Sequence, residues 1–331
     1  MNIKSLLFLL TIFFLFPTNV FSQVQIILDT DFGGDVDDLG ALVMLNNFMN
    51  KGECDLLAVM CWQTEQYSVS AIDAVNCYYK HPNIPIGVRK GSAHFDSWQY
   101  SKPIADKFYH NQSNKEAPVT TQLYRQLLAK SNDKSVVIIT VGPLKNIQDL
   151  INSNADSLSN LSGKELIEKK VKEFVIMGGQ YPEGKKEWNF DGQMPGVTQF
   201  VIRNITVPIT FTGAEVGSAI KTGAVFNSID KNSPLYIGSM HFSQNAPWVK
   251  TNFNGKILNN STFDQTAILY AVRNGSGTYW DKIEGGYCEP EKENGANKWV
   301  KASNRNHSYL KLKMKPGEMA LLIESIMLNK F

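Results

Sequence analysis

The sequence predicts an α/β protein with a Rossmann-like, mainly parallel central sheet and helices on both faces. Three observations carry this. Short continuous apolar runs recur at strand length, at 25–28, 56–60, 84–88, 136–141, 174–177 and 207–211. Helical patterns fall between them, at 39–49, 67–79, 119–128 and 144–151. No Pro-, Gly- or Ser-rich linker divides the chain. Strands buried on both faces read as unbroken apolar runs, and a helix between two strands is the crossover that parallel pairing requires.

Taken in order, the first run, Gln25-Ile26-Ile27-Leu28, empties into an acidic loop containing glycine, and a helical pattern starts at Leu39. Strand and helix then alternate as far as Val207 to Phe211, with the polar stretch 152–170 read as a connection that contains a helix. Near the end, Tyr309-Leu310-Lys311-Leu312-Lys313-Met314 alternates lysine with apolar residues, as a strand with one solvated face does, and 316–329 reads as a closing helix. Residues 23–331 are expected to form a single domain.

Residues 1–22 read as a secretory signal. Lys4 supplies the basic start, Leu6 to Phe16 is apolar apart from Thr11, Pro17 ends the run, and Val20-Phe21-Ser22 resembles a cleavage site before Gln23. The apolar run is shorter than the roughly 20 residues a spanning helix needs, so the expectation is export to the periplasm or outside the cell, without stable membrane insertion. A net charge of +2 gives no global reason to bind nucleic acid. Four cysteines in 331 residues make no disulfide scaffold, and their spacing fits no metal template.

The near-neutral balance hides one concentration of charge. Five of the 31 acidic residues lie within residues 29–38, in Asp29-Thr30-Asp31-Phe32-Gly33-Gly34-Asp35-Val36-Asp37-Asp38. Ligands of parallel sheets bind beyond the carboxyl ends of strands, where this loop falls. Five anions this close repel one another unless neutralised, and a hard divalent cation with oxygen ligands would do so. A helix cap with solvated acids accounts for only two or three of them. An EF-hand loop is excluded, because its fifth and twelfth positions would be Gly33 and Gly40.

The loop resembles the DxDxGxDD-type segment of the inosine–uridine nucleoside hydrolase family, and three later motifs follow in the family's order. Val141-Gly142-Pro143-Leu144-Lys145-Asn146-Ile147 is similar to its GPLxNI segment. Met177-Gly178-Gly179 with Glu187-Trp188-Asn189-Phe190 is similar to its GG…EFN stretch. Phe263-Asp264-Gln265-Thr266-Ala267 stands where the family has a late Asp before a helix. The resemblance implies a Ca²⁺-dependent N-ribohydrolase that splits nucleosides into ribose and free base. It assigns the metal to Asp31, Asp38, the backbone carbonyl of Val141 and Asp264, and makes Asp31 the catalytic base. It assigns ribose and base contacts to Asp37, Glu187, Asn189 and Trp188. It also implies a homo-oligomer, since family members are commonly dimers or tetramers.

The chain departs from the family pattern at three places. The loop is two residues longer, so Asp35 stands as a further candidate metal ligand. Phe263 replaces a His proposed in some members to protonate the leaving base, and Phe has no proton to give. Glu65 lies near a ribose-binding Asn of the family and is a further candidate substrate residue. Two other readings stay open: a catalytically weak or inactive nucleoside or ribose binder on the same scaffold, and, more remotely, a haloacid-dehalogenase-like phosphatase with Asp29 as nucleophile.

Overall fold

The computed structural model describes residues 23–303 and 305–331; the expected signal sequence lies outside them. The strands are β1 (Val24–Thr30), β2 (Cys54–Cys61), β3 (Ile86–Val88), β4 (Val136–Thr140), β5 (Val171–Met177), β6 (Glu183–Gly184), β7 (Ile209–Thr212), β8 (Lys221–Thr222), β9 (Asn260–Ser261), β10 (Trp280–Pro290), β11 (Asn297–Lys301) and β12 (His307–Leu312). Ten form one sheet in the order β3-β2-β1-β4-β5-β7-β12-β10-β11-β6, while β8 and β9 pair separately. The first seven in that order are parallel, and β10, β11 and β6 add antiparallel pairs at one edge.

The helices are α1 (Asp37–Asn50), α2 (Ser68–Tyr78), α3 (Ser101–Lys107), α4 (Thr120–Lys130), α5 (Lys145–Ile151), α6 (Gly163–Lys170), α7 (Trp188–Asp191), α8 (Val197–Asn204), α9 (Ala214–Ala219), α10 (Pro234–Asn245), α11 (Asp264–Arg273) and α12 (Pro316–Met327). They cover both faces. Alternate residues of each strand enter opposite cores, as the period of two requires. Ile26 and Leu28 of β1, with Val137 and Ile139 of β4, join α1, α2, α10, α11 and α12. Ile27, Val136 and Ile138 join α4, α5, α6 and α8. Among the described residues, no helix is long and apolar enough to cross a membrane. Cys54, Cys61, Cys77 and Cys288 are all unpaired.

The polar connection 152–170 is held by one buried cation. Arg125 of α4 donates from Nε and Nη2 to the Asp156 carboxylate, at 2.8 Å each, and from Nη2 to the carbonyls of Ser159 and Leu161 at 3.1 and 3.0 Å. Arg125→Met preserves length and apolar stem but strands these acceptors. It is expected to destabilise the protein by about 2 kcal/mol, readable as a lower urea midpoint at unchanged slope.

Candidate active site

β1, β4 and β5 run side by side and end together, so the loops after Thr30, Thr140 and Met177 share one edge of the sheet. The close approach of two of them requires a glycine. A Cβ on Gly142 would sit 2.8 Å from the Asp31 nitrogen and 3.0 Å from Asp31 Oδ1. The Val141–Gly142 peptide thus lies against Asp31, and the Val141 N–H donates to the Asp29 carbonyl at 2.7 Å. Beyond Asp31 the chain bends through Gly33, whose φ of +117° few side chains tolerate, and α1 starts at Asp37.

These turns gather the acids. Carboxylate oxygens of Asp37, Asp38 and Asp264, all buried, lie within 4.8 Å of one another. Asp264 opens α11, and its N–H donates to Asp37 Oδ2 at 3.2 Å. Thr30 Oγ1 donates to Asp38 Oδ1. Asp31 is buried as well, and its charge adds to the burial that raises Asp38 well above the usual carboxylate range. Asp35 accepts from the Val36 N–H and from Asn260 Nδ2, and its charge adds to the burial that raises Asp37.

Burial is the main force on all of these groups. It raises Asp31 and Asp35 to about 6, and raises Asp37, Asp38 and Asp264 well above the usual carboxylate range, with their mutual repulsion adding to the effect. Among the described residues, no Lys or Arg forms an ion pair with any of the five. Buried carboxylates without a protein cation, offering only hard oxygen atoms, fit a hard divalent ion.

The other expected residues divide by what holds them. Glu187 caps α7: its carboxylate accepts the N–H groups of Gly179, Asn189 and Phe190 at 2.9 to 3.0 Å. Burial raises it to about 7 in spite of these donors. Asn189 Nδ2 donates to the Met177 carbonyl at 3.1 Å, tying the α7 turn to the end of β5. Trp188 is 47% exposed, yet its Nε1 donates to Asp31 Oδ2 at 3.0 Å, so the indole stands beside that carboxylate. Glu65 is buried and engaged locally, accepting from the Tyr67 N–H at 2.6 Å and from Ser68 Oγ at the start of α2. Phe263 packs on α9, where a Cβ at Gly217 would lie 2.4 Å from its ring.

Three supports escaped the sequence reading. Asp29, only 2% exposed, has both oxygens bound, by Tyr124 Oη at 2.8 Å and Asn146 Nδ2 at 3.0 Å. It is a buried brace that ties β1 to α4 and α5. Asn146 belongs to the Gly142–Ile147 motif, so the motif itself was the available signal. Tyr100 Oη accepts the Gly33 N–H at 3.1 Å. Gln63 Nε2 donates to the Asp31 carbonyl at 3.3 Å. Nothing local in the sequence marks Tyr100 or Gln63.

Comparisons with known proteins bear on the family and the fold. A family model described as inosine-uridine preferring nucleoside hydrolase matches residues 26–306. The fold is similar to that of a plant nucleoside hydrolase, with TM-score 0.66 and 13% identity, covering 92% of this chain and 98% of that one. It is similar to a purine-preferring ribonucleoside hydrolase from Gardnerella vaginalis, with TM-score 0.64, 15% identity and coverage of 92% and 97%. A type III effector protein, XopQ, solved in complex with adenosine diphosphate ribose, has TM-score 0.64 and 12% identity, covering 93% of this chain and 94% of that one. No curated protein sequence gives a significant match.

Proposed function

Because the chain belongs to the inosine–uridine preferring nucleoside hydrolase family, whose members are N-glycosidases, we propose that it is an exported, Ca²⁺-dependent N-ribohydrolase of nucleosides. The observation that carries the metal requirement is the buried cluster of Asp37, Asp38 and Asp264 beside Asp31, with no protein cation to balance it. Asp31, Asp38, the Val141 carbonyl and Asp264 would hold the ion, and Asp37 a ribose hydroxyl. Bound Ca²⁺ supplies the positive charge that orients a water and the ribose diol.

The remaining chemistry belongs to side chains. Cleavage of the C1′–N bond passes through an oxocarbenium-like state; water adds at C1′ and the bonding pair leaves with the base. Asp31 takes the water's proton as general base, its carboxylate oriented by the Trp188 N–H. Glu187 and Asn189, fixed by main-chain hydrogen bonds, meet the sugar on a rigid turn, which favours a reactive geometry. The half-exposed Trp188 ring offers the leaving base a stacking face. Phe263 donates no proton, which favours a second reading: the same pocket binding ribose without turnover.

A panel of purine and pyrimidine nucleosides, incubated with the protein from residue 23 onward, tests this. Base release that needs Ca²⁺ and stops with a chelator is expected. Ribose binding in calorimetry without turnover supports the second reading, and neither Ca²⁺ binding nor base release overturns both. Trp188→Phe keeps an aromatic face but loses the N–H. It is expected to lower kcat about tenfold, the worth of one hydrogen bond to a charged group, and an unchanged kcat would remove Trp188 from the orientation of Asp31.

A further inference from the structure

Within the loop between Asp31 and Asp37, the Asp35 carboxylate accepts the Val36 N–H at 2.6 Å, on the side toward α1. Phe32, Gly33 and Gly34 carry no side chain that bonds the loop, and Gly33 holds a left-handed φ of +117°. The contacts that hold Phe32 and Gly33 come from outside the loop. The Phe32 carbonyl accepts Ser68 Oγ at 3.2 Å. The Phe32 ring meets the Tyr100 ring edge-on, with centroids 5.1 Å apart. The Gly33 N–H, at the bend, donates to Tyr100 Oη at 3.1 Å.

Tyr100 suits this task. It is fully buried just before α3, on a different segment from any carboxylate of the site, and it packs under Gly238 of α10. A phenol has one proton and two lone pairs. Gly33 takes a lone pair, and the proton remains to be given, with Asp38, Asp37 and Asp35 as the charged neighbours of the hydroxyl. A second hydroxyl lies at the same bend without joining it. Ser101 Oγ is buried with no partner, 3.3 Å from where a Gly33 Cβ would be.

We propose that Tyr100 is a positioning residue for the cation site: its hydroxyl anchors Gly33 and so sets the bend that presents Asp31 on one side and Asp37 and Asp38 on the other to a single ion. This rests on the proposed Ca²⁺-dependent function. In this role the effect of Tyr100 reaches the ion through the loop, by way of the Gly33 N–H. A merely structural residue would, when changed, lower the melting temperature of the calcium-free protein and leave the affinity of the folded molecules unaltered. A positioning residue does the reverse.

The test is Tyr100→Phe in the chain from residue 23, with Ser101→Ala as comparison and calcium chloride as the calorimetric titrant. The expected result is a Ca²⁺ dissociation constant raised about tenfold in Tyr100→Phe, the loss of one hydrogen bond to the loop. Its calcium-free melting temperature stays within about 3 °C of wild type. Ser101→Ala binds as wild type, and base release by Tyr100→Phe recovers at saturating Ca²⁺. Equal affinity in Tyr100→Phe, or an equal loss in Ser101→Ala, overturns the proposal while leaving the hydrolase reading intact. A wild type that binds Ca²⁺ without releasing base overturns the hydrolase reading alone. Should Tyr100→Phe fail to fold, amide exchange of Gly33 in the wild type decides: slowing of at least about tenfold on adding Ca²⁺ is expected, and no change overturns the proposal.

Discussion

Asp31→Asn is expected to lower kcat for base release about a thousandfold, within the range that a positioned general base contributes. The change is nearly isosteric, and the amide oxygen can still accept the Trp188 N–H that Asp31 Oδ2 accepts at 3.0 Å. What the amide cannot do is take a proton from water. Since burial of Asp31 disfavours its charged form, the variant should fold at least as stably as wild type without metal. The check is the rate at saturating Ca²⁺ alongside the Ca²⁺ affinity. A rate within tenfold of wild type removes Asp31 as the base, whereas a rate restored by more Ca²⁺ makes it a ligand and nothing further.

The second large effect is on stability. Burial raises Asp31 and Asp35 from 3.8 to about 6, Asp29 from 3.8 to about 7 and Glu187 from 4.5 to about 7, and lifts Asp37, Asp38 and Asp264 well above 3.8. A carboxyl group raised in the folded state binds protons more tightly there than in the unfolded chain. Its contribution to stability is complete below the unfolded value and disappears as pH rises through the folded one. The metal-free protein should therefore weaken between pH 5 and 8. Holding a proton tenfold more tightly in the folded state is worth about 1.4 kcal/mol, so several such carboxyls together lower the melting temperature by on the order of 5–10 °C. Ca²⁺ compensates the ionised carboxylates, so its stabilising effect should be larger at pH 8 than at pH 5. Melting curves in chelator and in excess Ca²⁺ at both values check this. A melting temperature independent of both pH and Ca²⁺ would mean that the cluster is no cation site.

Much of the architecture was readable in advance because its signals are local. The apolar runs at 25–28, 136–141 and 174–177 became β1, β4 and β5, and the pattern from Leu39 became α1. The helical patterns at 67–79 and 119–128 likewise correspond to α2 and α4. Less legible were short or mixed elements. α3 spans only Ser101–Lys107, and α10 lacks a clean apolar stripe because Gly238 and Ser239 lie on its buried side. β10 and β11, near one end of the sheet, pair antiparallel and are only partly buried, so they lack the unbroken apolar run that marked the parallel strands.

The same division runs through the site. The order of residues by itself determined the family, the acidic loop, the motif at Gly142 and the late Asp264, because each is a short contiguous pattern ending a strand or opening a helix. Tertiary structure decided which acids meet. Asp37 and Asp38 join Asp264 from more than two hundred residues away, Asp35 turns to Asn260, and Asp29 is braced by Tyr124 and Asn146. It also turned Glu65 toward the start of α2 and set Tyr100 under Gly33. A carboxylate carries the same letter wherever it stands. Its partners, burial and charge depend on which strand ends the sheet brings side by side, and those neighbours are distant in the chain.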